Sequence, residues 1–302
     1  MEGFQDSRTT YQDTTWPELG VSYHWSNARV VEQRTTERGT CLEMVHRPRW
    51  GMACYMNGEI QSCEMDERIY HESLVHPALA YTASPRRVLI LGGGEGSTAR
   101  EVLKCPAVEH VDMVEWDREV VDCFRTSYPQ WAKGAWEDPR LVVSYEDVFE
   151  RVRAGPPAER YDLIVVDLFE PSEEDTMWVL VSQLAAEWLT PQGCLTMYAG
   201  MRNPFVDRHP SEEWLEEKRM ETYDQRGIPL PALLTQRDVY SYKVFIPSFC
   251  GESTFLFLTP THSSPDWERI RALSSHLTPE IWTAYYTWNR YRERAEGVFQ
   301  GV

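Results

Sequence analysis

The rhythm of apolar and polar positions changes near residue 85. The run RVLILG (87–92) is continuously apolar, as in a strand buried on both faces of a parallel sheet. A helical spacing follows in STAREVLK and returns in REVVDCFRTSY, while VEHVDMVEWD, RLVVSYEDV, YDLIVVDLF and CLTMYAG have the pattern of strands. Strands that alternate with helices predict an α/β fold with a doubly wound sheet.

The residues before this change have a different character. They mix short strand-like runs with turns, and the dipeptide Asn57-Gly58 predicts a β-hairpin. We therefore predict a β-strand domain at 1–80 and a Rossmann-like domain at 81–302.

Three further segments complete the prediction for the second domain. VYSYKVFIPSF and STFLFLT are expected to form a closing pair of strands, and SEEWLEEKRMETYDQ a helix. The tail from SPDWERIRALSSHLTPEIWTAYY onward has helical spacing. Within it, Trp267, Trp282 and Trp288 are expected to anchor the packing.

Composition and charge narrow the class of protein. The formal charge of −17 argues against nucleic acid or an anionic membrane surface as partner, and it is compatible with a cationic substrate. There is no apolar run of about 18 residues and no basic or apolar leader, so we expect a cytoplasmic protein that does not cross a membrane. The seven cysteines form no C-x-x-C pair, which favours reduced structural thiols and no metal site.

A glycine-rich loop follows the first apolar strand, and it contains an acid. Gly92 and Gly94 belong to the run GGGEGS, in which Glu95 lies among the glycines. A carboxylate at this position repels the phosphate that such loops usually bind, which disfavours NAD. A generic methyltransferase is also disfavoured, because it would carry an acid two residues before the first glycine, where this chain has Ile90.

Further acids end the strands that follow. Glu115 comes twenty residues after Glu95, the spacing at which an acid commonly binds ribose hydroxyls. Asp147 and Asp167 end the next two strand-like runs, and Glu170 follows shortly afterwards. Each acid alone could be a helix cap or a solvated strand end. Because ligands bind at the carboxyl ends of parallel strands, the set together predicts a crevice lined with carboxylates.

The charge of Glu95 suggests which ligand fills this crevice. S-adenosylmethionine has no phosphate, but its methionine end carries a carboxylate as well as an ammonium group. A carboxylate about 4 Å from Glu95 would cost roughly 4 kcal/mol at an effective dielectric constant near 20. Decarboxylated S-adenosylmethionine lacks that carboxylate and carries only positive charge at this end, so it is the predicted ligand.

Several motifs together resemble a known family. GGGEGSTAREVL, NGEIQSCEMDERIYHESLVHPAL, VEWDREVV, DLIVVDLFEP and FIPSF are similar to the polyamine aminopropyltransferases, which include the spermidine, spermine and thermospermine synthases. The glutamate in the glycine loop, the IYHE run and PSF are most similar to the thermospermine synthase branch. The resemblance implies a doubly wound, Rossmann-like sheet of the methyltransferase type, a small N-terminal β-domain and a homodimer.

The resemblance also implies roles for individual residues. Glu95 would bind the aminopropyl ammonium, Glu115 the ribose hydroxyls and Asp147 the adenine amine, with His71 as a further contact to the donor. Tyr70 and Asp167 fall where the family positions and deprotonates the attacking amine, and Glu170 where a second acid binds the acceptor. The expected acceptor is spermidine, with putrescine as the alternative.

The chain departs from the family pattern at four places. Thr40 stands where the family usually has a glutamine that helps to bind the donor, and Phe249 stands where many members have a tyrosine. Glu170 replaces an aspartate, and SEEDTMWVL replaces a small glycine-containing loop. These departures leave the acceptor open, and two other functions remain possible: an S-adenosylmethionine-dependent amine N-methyltransferase, or an inactive regulatory homologue.

Overall fold

The computed structural model describes residues 10–16, 21–169, 176–202 and 237–285. Contacts divide the chain into two compact units. The first consists of residues 1–67 and 247–250, and the second of residues 68–246 and 251–302.

The first unit is built from antiparallel strands. A two-stranded sheet contains β1 (Thr10–Trp16) and β2 (Val21–Ser26), and a four-stranded sheet contains β3 (Arg29–Thr35), β4 (Cys41–Arg47), β5 (Gly51–Met56) and β6 (Glu59–Cys63). The predicted hairpin is confirmed, because Asn57 and Gly58 join β5 to β6 with φ angles of 53° and 86°. Two positive φ angles in succession are the geometry that the Asn-Gly dipeptide favours.

A buried arginine ties the two sheets of this unit together. Arg47, at the end of β4, contacts Asp13 of β1 at 3.3 Å and lies 3.8 Å from the ring centroid of Trp25 in β2. Tyr55 of β5 donates a 2.8 Å hydrogen bond to the same carboxylate oxygen of Asp13. The charge of Arg47 is thus paired where the side chain leaves water.

The second unit contains a seven-stranded sheet in the order β12-β13-β11-β10-β7-β8-β9. Its strands are β7 (Arg87–Gly92), β8 (His110–Glu115), β9 (Leu141–Tyr145), β10 (Tyr161–Asp167), β11 (Leu189–Arg202), β12 (Arg237–Ile246) and β13 (Gly251–Pro260). The five strands from β9 to β11 are parallel, and β13 and β12 complete the sheet in antiparallel pairing. The predicted parallel core and closing strand pair are therefore confirmed.

Six α-helices accompany this sheet in the described residues. They are α1 (Glu67–Tyr81), α2 (Ser97–Leu103), α3 (Arg118–Ser127), α4 (Val148–Arg153), α5 (Thr176–Gln183), which a π-helical turn (Leu184–Trp188) extends, and α6 (Trp267–Leu273). Alternate side chains of the central strands, such as Leu89, Leu91, Ile164 and Val166, enter a core that also contains Trp188. The order of the strands reverses at β7, with β8 on one side and β10 on the other, which is where such sheets bind ligands.

The boundary between the units differs from the predicted one at residue 80. Contacts divide the chain at Glu67, so α1 belongs to the second unit. The sequence conceals this helix because polar side chains are buried on it, including Glu72, Ser73 and His76. The side chains of Glu72 and His76 form bonds within the second unit, whereas Ser73 accepts one only through its backbone carbonyl. An apolar stripe is consequently absent from this helix.

Some of the segments for which we predicted helices or packing anchors lie outside the described residues. Trp282 is buried and contacts Tyr242 at 4.5 Å between ring centroids, and Trp267 packs against Trp282 at 6.2 Å. The predicted helix SEEWLEEKRMETYDQ and Trp288 lie outside the described residues.

All seven cysteines are free thiols. In the part of the chain that the structure describes, no helix is both long and apolar enough to span a membrane.

Candidate active site

Three of the predicted acids meet at the carboxyl ends of adjacent strands. The loop with Glu95 follows β7, Glu115 ends β8 on one side of it, and Asp167 ends β10 on the other. The parallel register places Asp167 directly beside Gly92. The sequence therefore predicted the common position of these side chains correctly.

Two glycines allow the strand ends to approach each other. A Cβ atom on Gly92 would lie 2.0 Å from the backbone oxygen of Asp167, and its φ of 83° is unfavourable for other residues. A Cβ atom on Gly94 would lie 2.9 Å from Oε2 of Glu115. Side chains at these positions would separate the loop from the neighbouring acids.

Asp167 accepts a hydrogen bond on each of its carboxylate oxygens. The hydroxyl of Tyr70 donates to Oδ1 at 3.0 Å, and the hydroxyl of Thr98 donates to Oδ2 at 2.5 Å. Burial raises the pKa of Tyr70 well above its usual value, and the negative charge of Asp167 raises it further. Tyr70 therefore stays protonated at neutral pH and remains a donor to the carboxylate.

His71, the next residue of α1, contacts the acid of the glycine loop. Its Nε2 lies 4.0 Å from Oε2 of Glu95, and both side chains are buried. Consecutive residues of one helix thus contact acids that follow two different strands. This arrangement places a second pair of polar groups beside the Tyr70–Asp167 pair.

Glu115 is oriented by its own backbone turn. Its Oε1 accepts hydrogen bonds from the amides of Trp116, at 2.7 Å, and Asp117, at 3.1 Å. Burial raises the pKa of Glu115 above its usual value, these amides oppose the rise, and the charges of Asp117 and Asp167 add to it. Burial is the main cause of the raised pKa, and the neighbouring acids Asp117 and Asp167 make a smaller contribution.

Asp147 has a structural role that the sequence had left open. It is the N-cap of α4, and its Oδ1 accepts hydrogen bonds from the amides of Phe149, at 2.7 Å, and Glu150, at 3.1 Å. The adjacent amide of Glu146 donates to the backbone oxygen of Glu115 at 3.0 Å, so this strand end lies next to that of β8. Glu170 and residues 172–175, the first four of the SEEDTMWVL segment, lie outside the described residues, and the rest of the segment begins α5.

Sequence reasoning missed three residues around the Tyr70–Asp167 pair. The sequence pattern predicts Thr98 only as part of a helix start, although its hydroxyl donates to Asp167. The rings of Tyr198 and Phe255 lie 5.6 and 5.2 Å from that of Tyr70. The signal for Tyr198 was its place in CLTMYAG, because β11 runs parallel to β10 with Met197 beside Val166.

Thr40 and Phe249, two of the departures from the family pattern, both lie in the first unit. Thr40 is in the turn between β3 and β4, where its amide donates to the hydroxyl of Thr36 at 3.1 Å. Phe249 is buried in the single turn Pro247–Phe249, whose Ser248 amide donates to Asp66 at 2.6 Å.

Comparison with known proteins identifies the family. Residues 67–227, more than half of the chain, match the family described as the spermine/spermidine synthase domain. A polyamine aminopropyltransferase from Pyrobaculum calidifontis is 46% identical over 255 residues, which cover 79% of this chain and 78% of the relative. Polyamine aminopropyltransferase 1 from Hyperthermus butylicus is 36% identical over 222 residues, which cover 72% and 70%.

Solved structures confirm the predicted fold. A spermidine synthase from Thermotoga maritima superimposes with a TM-score of 0.73 and 22% identity, covering 95% of this chain and 94% of that one. A spermidine synthase in complex with the transition state analogue AdoDATO superimposes with a TM-score of 0.78 and 21% identity, covering 99% and 98%. The acids at adjacent strand ends, the match to the family and the two relatives lead to one conclusion. The chain belongs to the spermine/spermidine synthase family and is a polyamine aminopropyltransferase.

Proposed function

We propose that this enzyme transfers the aminopropyl group of decarboxylated S-adenosylmethionine to spermidine, giving thermospermine or spermine and releasing methylthioadenosine. The observation that carries the proposal is the pairing of Tyr70 with Asp167 and of His71 with Glu95. The Tyr70–Asp167 pair suits an acceptor amine, and the His71–Glu95 pair suits the cationic end of the donor.

The donor side consists of the glycine loop and the acids beside it. Glu95 binds the aminopropyl ammonium, with His71 as a further contact to the donor. Glu115, whose Oε1 is fixed by two backbone amides, binds the ribose hydroxyls. Asp147 receives the adenine amine while it caps α4, since both of its hydrogen bonds to the helix fall on one oxygen.

The buried position of Glu95 explains the choice of donor. Intact S-adenosylmethionine would bring a carboxylate toward this acid, and the repulsion at about 4 Å is roughly 4 kcal/mol at an effective dielectric constant near 20. Decarboxylated S-adenosylmethionine offers only the ammonium. Binding should therefore favour the decarboxylated donor by tens to about a thousandfold.

The acceptor side supplies a base and a hydrogen-bond donor. Tyr70 orients the acceptor nitrogen, and the carboxylate of Asp167 takes a proton from it. The nitrogen then attacks the CH₂ group next to the sulfonium, a C–N bond forms, and the C–S bond breaks with its electron pair retained by sulfur. Positive charge is dispersed in this step, so the site needs orientation and proximity of the reactants more than a group that stabilises an oxyanion.

Spermidine is favoured as acceptor because of the sequence motifs. The glycine loop with glutamate, IYHE and PSF resemble the branch that extends a triamine. Glu170 is the proposed second acid for the acceptor. The same resemblance favours a homodimer, and we propose the cytoplasm as the compartment in which the enzyme works.

One experiment tests the proposal directly. Putrescine, spermidine and spermine are each offered with decarboxylated and with intact S-adenosylmethionine, and the products are identified by mass spectrometry. We expect aminopropylated spermidine from the decarboxylated donor only. Methylated amines would support the N-methyltransferase alternative, and a much higher kcat/KM for putrescine would overturn the branch while leaving the chemistry in place.

The oligomeric state needs a separate measurement. Light scattering at several protein concentrations should give a mass near twice the 35.2 kDa of the chain. A mass of one chain at all concentrations would contradict the homodimer.

A further inference from the structure

Thr98 is placed to act on the base through a single hydrogen bond. It is the second residue of α2, it is fully buried, and its hydroxyl donates to Oδ2 of Asp167 at 2.5 Å. In the first turn of a helix, no helical carbonyl lies one turn earlier to accept the hydroxyl of a threonine. This hydroxyl instead reaches the end of β10.

The hydrogen bond completes the restraint of the carboxylate. Tyr70 of α1 donates to one oxygen of Asp167 and Thr98 of α2 to the other, so rotation of the carboxylate about its Cβ–Cγ bond would break both contacts. A base that must receive a proton from a bound amine needs a fixed orientation. Displacement by about 1 Å can lower the rate of such a reaction by a factor of about 100.

Several charged and titratable groups face Asp167 and its partner Tyr70. Glu115 at the end of β8 interacts electrostatically with Asp167, and Glu95 of the glycine loop with Tyr70. Tyr70 of α1 and Tyr198 of β11 are the titratable phenols on this side, and His71 lies beside Glu95. A hydroxyl that donates to a carboxylate stabilises the ionised form of that carboxylate.

We infer that Thr98 is a positioning residue that holds the carboxylate of Asp167 in the orientation needed to accept the proton of the acceptor amine. The inference rests on the proposed role of Asp167 as the base. It assigns no contact with substrate to Thr98. The hydroxyl acts only through the carboxylate.

Substitution of Thr98 tests the inference in the full-length enzyme. Thr98→Val keeps the branched shape and removes the hydroxyl, and Thr98→Ser keeps the hydroxyl. With decarboxylated donor and saturating acceptor, we expect Thr98→Val to lower kcat by about 10- to 100-fold at neutral pH and Thr98→Ser to restore most of it. Loss of the hydrogen bond should also move the acid limb of the kcat profile upward by about one pH unit. Thr98→Ala provides the same comparison if Thr98→Val does not fold.

Three results would overturn the inference. The first is a wild-type kcat and an unshifted acid limb for Thr98→Val when Asp167→Asn has lost activity. The second is an equal loss from Thr98→Val in the Asp167→Asn background, measured at high pH, because a hydroxyl that acts through Asp167 should add nothing there. The third is a loss of donor affinity in calorimetry that accounts for the whole effect.

The proposed function fails in a different way. If Asp167→Asn keeps near-normal kcat at neutral pH, Asp167 is not the base, whatever Thr98→Val does. If Asp167→Asn loses activity, and Thr98→Val shows a lower kcat and a shifted acid limb of the pH profile, the results support both the base role of Asp167 and the positioning role of Thr98.

Discussion

Asp167 accepts hydrogen bonds from hydroxyl groups on two helices. Its substitution should lower the rate of the chemical step while leaving donor binding intact. Asp167→Asn keeps the size of the side chain and removes the proton acceptor. We expect kcat to fall by about 10²–10⁴-fold, with little change in donor affinity, because Glu95 and Glu115 hold the donor in our proposal. Raising the pH should recover part of the activity, since neutral amine is then available without a base.

Steady-state kinetics and calorimetry on the same preparation check this prediction. Asp162→Asn is not a suitable control, because Asp162 accepts bonds from the amides of Arg86 and Arg87. Glu159→Gln is better, since that side chain is 81% exposed. Complete loss of donor binding in Asp167→Asn would make Asp167 a structural residue.

Glu95 should determine which donor the enzyme prefers. Glu95→Gln removes the negative charge from a buried position beside His71. We expect weaker binding of decarboxylated S-adenosylmethionine and stronger binding of the intact form, so the ratio of their dissociation constants should move toward one. Isothermal titration of both donors measures the ratio, and an unchanged ratio would place the ammonium elsewhere.

The sequence predicts some of these residues and conceals others for a physical reason. The strand-end acids are predictable because parallel strands end at one edge of the sheet, whatever the details of packing. Thr98 is not, because the direction of its hydroxyl depends on how closely the first turn of α2 lies to β10. The N-cap role of Asp147 likewise depends on the backbone of α4, which the order of residues leaves open.

Helix α1 carries both Tyr70 and His71, and a buried acid on the same helix fixes the loop that follows α6. Glu72 accepts hydrogen bonds from the amide and hydroxyl of Ser275, at 3.0 and 2.5 Å, and from the amides of His276 and Leu277, at 2.7 and 2.8 Å. Burial alone would raise the pKa of Glu72, but the bonds from Ser275, Leu277 and His276 outweigh it and lower the pKa. The ionised carboxylate is therefore the form that fits this loop.

Replacement of Glu72 should destabilise the enzyme without directly removing a site residue. In Glu72→Gln, the amide nitrogen cannot accept bonds, so two of the four donors lose their partner. Each buried unsatisfied donor costs about 1–3 kcal/mol, and we expect a loss of roughly 2–5 kcal/mol in the free energy of unfolding. Urea denaturation measures the loss, and Glu280→Gln, on an exposed pair with Arg271, is the control that should change little.

The elements differ in how well the sequence predicts them. The strands β7, β8 and β10 are apolar throughout because both faces of the sheet are covered, and their pattern is unambiguous. Helix α1 was missed because Glu72 and His76 are buried with partners that lie about 200 residues later in the chain, among them Ser274 and Ser275. Local periodicity cannot reveal a polar side chain whose partner is that distant.

The stability of the whole chain should depend on pH through two buried acids. The pKa of Glu101 is also lowered, since His76, Arg100 and Lys104 surround it and outweigh the effect of burial. A carboxyl whose folded pKa lies below its unfolded value of 4.5 adds stability above pH 4.5, and this contribution disappears as the pH falls toward the folded pKa.

Urea midpoints between pH 7 and pH 3 test this expectation. The wild-type midpoint should fall once the pH drops below about 5, and its advantage over Glu72→Gln should narrow in the same range. Glu115 acts in the opposite sense, because its pKa is raised, mainly by burial, and protonation at low pH removes the cost of the buried charge. An advantage that stays constant down to pH 3 would contradict the role given to the ionised Glu72.

The first unit is discontinuous along the chain, and this affects the time at which it can be completed. Residues 247–250 belong to it, and the Ser248 amide reaches the buried Asp66 across 182 residues of sequence. A ribosome that adds about 5–20 residues per second needs roughly 10 to 40 s between these two positions. During that interval the Ser248 amide is not yet available to bond with Asp66. The first unit is therefore expected to complete its folding only after β12 has been synthesised, together with the second unit.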